Sequence, residues 1–158
     1  MSNIVKQFLL LMIIQCMIFS QSSINLVGSW QAAPHVAAGY DDTFTFDPDG
    51  TFYYFNNQMD CGKREVGYGG NWELKGKTIQ LTITYTDTEK GGWYEPSDGS
   101  CGGDSMLVGS TIVKTLIFPY DREILSIANY KTEKEDDAAR YTIEFNKRKY
   151  WYFTKFEY

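Results

Sequence analysis

Apolar and polar residues alternate along most of the chain after residue 25, the spacing of strands with one buried and one wet face. Thr78 to Tyr85 is the most regular stretch. Ile79, Leu81, Ile83 and Tyr85 fall on one face, and Thr78, Gln80, Thr82 and Thr84 on the other. In Thr43-Phe44-Thr45-Phe46 the two phenylalanines share a face. Asp47-Pro48-Asp49-Gly50 then has the chemistry of a tight turn, leading to a return strand at Thr51-Phe52-Tyr53-Tyr54-Phe55. No uninterrupted 3.6-residue stripe occurs in this region, so the pattern predicts an all-β fold.

Six further segments extend the series. Ile24 to Ala33, Val66 to Leu74, Thr111 to Phe118, Ile124 to Tyr130, Arg140 to Phe145 and Lys149 to Phe156 read as strands, making nine candidates in all. Gly67, Gly69 and Gly70 in the second of these mark a bulge or a sharp corner. Pro119-Tyr120-Asp121-Arg122 reads as a turn and Lys131 to Asp137 as a charged loop. Thr86 to Ser110 breaks the rhythm and reads as a long loop, a length usually reserved for function or disorder. Short links without a helical crossover predict an antiparallel up-and-down meander, and a meander of this size best avoids bare edges by closing into a barrel of about eight to nine strands.

The first strand carries Leu26-Val27-Gly28-Ser29-Trp30. Gly allows close backbone approach, and Trp two residues on supplies a ring large enough to plug one end of a small barrel. Downstream stand Phe46-Asp47-Pro48-Asp49-Gly50-Thr51-Phe52 and Gly70-Asn71-Trp72-Glu73-Leu74, the latter followed by Lys77-Thr78-Ile79-Gln80-Leu81. In that order the segments resemble the lipocalin-like (calycin) family of small secreted barrels. The resemblance implies a barrel closed by Gly28 and Trp30, with a small apolar molecule as the usual class of ligand. It also implies a basic residue near the last strand packed over the Trp, with Arg140, Arg148 and Lys155 as alternative candidates for it here. The long helix that follows the barrel in full lipocalins has no counterpart in this pattern.

Composition and charge supply the address. Lys6 followed by an apolar run from Phe8 to Phe19, broken only by Gln15, has the form of a signal peptide over residues 1–22. Ser20-Gln21-Ser22 offers small residues for cleavage after Ser22, with Ser20 as a second position. The run is shorter than the ~20 residues of a membrane span, which weighs against a retained anchor helix. Lipidation at Cys16 meets bulky Gln15 where a small residue is needed. Residues 23–158 then form a single exported domain, secreted or periplasmic. Loss of Lys6 leaves 14 basic against 20 acidic residues, a net charge of −6. That acidity argues against nucleic acid and anionic membrane surfaces as partners, since both call for a basic patch. The mature chain keeps Cys61 and Cys101, an even pair that reads as one disulfide in an oxidising compartment.

Candidate chemistry is sparse. His35 is the single histidine, so neither an imidazole metal site nor a Ser-His-Asp relay has support. Asp47 and Asp49 lack the further ligands of a calcium loop and are explained by the turn. The acidic residues from Asp41 to Asp104 carry no catalytic motif, and no cofactor is implied. Two function classes remain. One is a non-enzymatic binding barrel for a small hydrophobic or amphipathic molecule, with Phe44, Tyr54 and Trp72 from the aromatic faces as lining. The other is a protein-binding module such as a protease-inhibitor-like barrel. Trp93 and Tyr94, amid glycines, serve either as contact residues on the long loop or as a lid. A roomy apolar interior favours the first class, a filled barrel with protruding loops the second.

Overall fold

The computed structural model describes residues 24–34, 41–57, 59, 61–99, 102–135 and 138–153. The proposed signal peptide with Cys16, and also His35, Cys101 and Lys155, lie outside the described residues. Eight antiparallel strands follow one another round a closed barrel: β1 (Gly28–Gln31), β2 (Thr43–Phe46), β3 (Thr51–Phe55), β4 (Glu65–Lys75), β5 (Thr78–Pro96), β6 (Ser105–Glu135), β7 (Ala138–Phe145) and β8 (Arg148–Phe153). β8 pairs back onto β1, with Trp30 opposite Tyr152, and this pairing closes the ring.

The alternation read from the sequence sets the inside. Trp30, Phe44, Phe46, Phe52, Ile79, Leu81, Leu125, Ile127, Ile143 and Phe145 are buried together, and they fill much of the interior. The β2–β3 turn forms where Asp-Pro-Asp-Gly predicts it, closed by hydrogen bonds from Gly50 N to Asp47 O at 3.2 Å and from Thr51 N to Asp49 Oδ1 at 2.9 Å. β7 and β8 join through Asn146 and Lys147, both at positive φ (49° and 71°), as a tight hairpin turn requires.

Four expectations are corrected. Thr86 to Ser110 is not a loop over most of its length. β5 runs on to Pro96 and β6 starts at Ser105, so the two form a long hairpin arm with pairs such as Glu89–Ile112 and Trp93–Val108. Pro119-Tyr120-Asp121-Arg122 is not a turn between strands. Ile83 pairs with Asp121 and Tyr85 with Leu116, so Thr84 of β5 faces four residues of β6. This wide irregularity accommodates Pro119, whose peptide bond to Phe118 is cis, without ending the strand. Lys131 to Glu135 is also strand, paired with β7. Nine expected strands are therefore eight, because two of them are the halves of β6.

The fourth correction concerns Tyr85. The register shifts between Gly69 and Gly70 on β4 and between Ile83 and Tyr85 on β5 move this ring off the face of Ile79, Leu81 and Ile83. It stacks instead on Tyr53, with centroids 6.3 Å apart, and Lys114 lies 4.0 Å above it. The glycines expected to mark a corner do so. A Cβ at Gly70 would stand 2.0 Å from the carbonyl oxygen of Thr82, so only a bare backbone permits that approach.

β6 is long because it serves its two neighbours with different stretches. Ser105 to Ser126 pairs with β5, and Ile127 to Glu135 pairs with β7. Such an offset is the stagger that a closed, tilted barrel requires.

Candidate functional site

Trp30 closes the interior at the start of β1. Its ring is fully buried, and its Nε1–H donates to the carbonyl oxygen of Leu26 at 2.8 Å. Tyr152 packs against it edge-on at 5.1 Å, with Tyr130 and Phe145 each at 6.2 Å. Gly28 makes this possible, since a Cβ there would stand 2.4 Å from the Tyr152 ring. The Gly and the Trp of the opening motif thus act on one neighbour. Of the expected basic counterparts, Arg140 lies over Phe153 at 4.7 Å and Arg148 over Tyr150 at 5.7 Å.

A cavity of about 210 Å³ opens to solvent where β3, β4, β6 and the β7–β8 turn converge. Its floor is apolar: Phe44, Leu125 and Phe145, all buried. Tyr54, Tyr68 and Tyr150 form the wall, in a continuous set of rings with Tyr54 4.6 Å from Phe44 and 4.8 Å from Tyr68. Tyr150 lies 5.7 Å from Phe44 and 5.1 Å from Phe145. Glu123, Asn146 and Arg148 complete the lining.

The polar groups are held in fixed relations. Tyr68 Oη donates to Glu123 Oε2 at 3.1 Å. Arg148 pairs with Asp42, and with Asp41 Oδ1 at 3.3 Å. Asp42 in turn accepts from the backbone N–H of Asn57 at 2.8 Å, tying the β3–β4 connection to the same corner. Burial, reinforced by neighbouring carboxylates, holds the phenols neutral. Tyr150 is pushed up to about 12 mainly by burial. Tyr54 is raised by burial and then by Asp42, and Tyr68 by burial and then by Glu123. The three hydroxyls are therefore donors and acceptors at neutral pH, and Glu123 accepts from that of Tyr68.

Two of the lining residues expected from sequence, Phe44 and Tyr54, meet here. Trp72 is elsewhere, edge-on to Phe46 at 5.3 Å with its Nε1–H donating to Asp47 O at 3.1 Å, a cap beneath the β2–β3 turn. Trp93 and Tyr94 stand on the arm. Trp93 is 57% exposed and donates to Glu95 Oε1 at 2.6 Å. Tyr94 reaches the carbonyl oxygen of Gly62 at 3.3 Å, with Arg64 5.3 Å over its ring. Tyr68, Glu123, Asn146 and Tyr150 escaped the sequence reading. A signal for Glu123 existed: it shares the parity of Leu125 and Ile127 once the strand is extended back by one residue.

A family model described as a lipocalin-like domain matches residues 26–104, half of the chain. The chain belongs to the lipocalin-like family. No curated protein and no solved structure matches it. The match ends at the tip of the arm, so this lipocalin-like barrel takes Phe44, Tyr54 and Tyr68 from the matched half. Glu123, Arg148 and Tyr150 come from the part beyond it. Among the described residues no three His, Cys, Asp or Glu side chains group as a metal site, and no helix is long and apolar enough to cross a membrane.

Proposed function

We propose that this lipocalin-like barrel is an exported, non-enzymatic binding protein that takes a small amphipathic molecule in the cavity beside Tyr54, Tyr68 and Tyr150. The observation that carries the reading is the gradient within one cavity, from an apolar floor at Phe44 and Phe145 to a hydrogen-bonding rim at Glu123 and Arg148. A floor of that kind rewards burial of an apolar group, and the few polar groups fix its orientation. At about 210 Å³ the site is smaller than the ~300–1,000 Å³ of drug-sized ligand pockets, which selects a single ring with a short substituent. Screening monocyclic aromatic fragments by protein-observed NMR tests it. Shifts should cluster on Tyr54, Tyr68 and Tyr150, and a screen without such shifts would overturn the reading.

Export is the cellular half of the proposal. Protein from its native host should begin at Ser23 or Gln21, whereas a retained Met1 would remove the exported setting. A Cys61–Cys101 disulfide belongs with it. Hydrogen bonds from Gly102 N to Met59 O at 2.7 Å and from Leu107 N to Cys61 O at 2.9 Å support the pairing, because they bring the arm tip against the β3–β4 connection. Thiol titration of the unfolded, unreduced mature protein should find no free thiol.

One observation favours the second reading, a protein-binding module. The arm and the adjoining part of β6 expose Leu116 (78%) and Phe118 (88%) together with Trp93. Before Ile127, no described strand pairs with β6 on its β7 side. Fragment shifts confined to the arm would support this class over the first.

A further inference from the structure

We infer that the cavity selects an organic ammonium ion, a primary amine or its alkylated equivalent carried on an aromatic or aliphatic body; the inference rests on the cavity being a binding site. Two carboxylates, Asp41 and Asp42, pair with the Arg148 guanidinium, and a third, Glu123, lines the same cavity as that guanidinium. Arg148 is already engaged by both aspartates, so its charge is answered within the protein. Glu123 differs. It accepts from the neutral hydroxyl of Tyr68, and among the described residues no salt bridge includes it. A half-buried carboxylate oriented by a phenol and without a basic partner attracts a cation and repels an anion.

The rings add to that preference. Tyr54, Tyr68 and Tyr150 present π systems whose negative faces attract cations, and the attraction grows as water is excluded. Arg148, 5.7 Å over the Tyr150 ring, is an example of a cation held by this same wall. A neutral ligand uses the floor and leaves Glu123 to water. A carboxylate ligand has to compete with Asp41 and Asp42 for Arg148 while facing Glu123. An ammonium ion gains the floor, the rings and Glu123 together.

Three probes of nearly one shape separate the possibilities: phenethylamine (an ammonium ion at neutral pH), 2-phenylethanol and 3-phenylpropanoate, each titrated calorimetrically into the mature protein. Phenethylamine should bind about tenfold more tightly than the alcohol, with the propanoate weakest. Raising the salt concentration about tenfold should shrink the gap between amine and alcohol, since part of it is charge attraction. Glu123→Gln should bring their ratio close to one. The salt series on the unaltered protein gives the same answer if that variant does not fold. Equal amine and alcohol affinities overturn the ammonium inference while leaving the binding site standing. A tighter propanoate overturns it in favour of Arg148 as the determinant. If none of the three binds, the proposed function and this inference fall together.

Discussion

Trp30 acts through its ring and its N–H at once. The ring is enclosed by Tyr130, Phe145 and Tyr152, and the N–H satisfies the Leu26 carbonyl within the barrel end. Trp30→Ala should therefore cost roughly 3–5 kcal/mol, read as a lowered urea midpoint at unchanged slope. Fragment binding at the opposite mouth should survive where the variant is folded. The buried phenols give a second outcome at this scale. Tyr150 titrates at about 12 in the folded chain against 10.0 for a free phenol, and Tyr54 and Tyr68 are raised in the same direction. A raised phenol pKa means that the folded state holds its proton longer than the unfolded chain. The stability from Tyr150 is then complete below pH 10 and is lost as pH rises through about 12. Alkaline unfolding followed by tyrosinate absorbance should show this loss, and Tyr150→Phe should make the decline shallower.

The β5–β6 arm is the element on which sequence and structure part most. Gly91-Gly92 and the polar residues around Trp93 read as loop, yet the ladder continues through Tyr94–Leu107 to Pro96–Ser105. Local composition cannot register a partner strand more than ten residues away, whereas paired backbone groups decide whether a Gly-rich segment stays extended. The arm is steadied from outside the hairpin as well. Glu89 N donates to Arg64 O at 2.7 Å, and Arg64 Nη1 donates to Gly91 O at 2.8 Å. Trp93 is exposed, with its ring over Gly109, so it contributes little to this anchoring. Trp93→Ala should leave the unfolding free energy within about 0.5 kcal/mol of the parent protein. A variant that unfolds would make the arm a structural lid. Tyr85 shows the same lesson in miniature, since one register shift moved it to the other face.

At the scale of the molecule, stability depends on closure. β1 has only four residues, and β8 holds it in the ring through Ser29–Phe153, Trp30–Tyr152 and Gln31–Trp151. Truncation before Arg148 removes Tyr150 from the core and leaves edges on β1 and β7 unpaired. The shortened chain should aggregate on expression, as exposed strand edges do, with light scattering and soluble yield as the readouts. A soluble, folded truncation would show that β1 to β7 suffice. Closure also explains why the cavity sits where it does. Aromatic side chains fill the interior from Trp30 up to Phe44 and Phe145, and space remains at the mouth, where Arg148 and the two aspartates hold the rim.

The sequence by itself determined the all-β class, the inward faces of β2 and the first part of β5, the β2–β3 turn, and the burial of Trp30. These are local properties: a side chain's face follows from parity, and a turn follows from four neighbouring residues. Tertiary structure alone decided the arm, the continuity of β6 through Pro119 and the membership of the cavity. Glu123, Tyr68 and Arg148 are brought together from β6, β4 and the start of β8. Their meeting depends on the accumulated stagger of eight strands round a ring, a sum over every pairing that no single segment encodes.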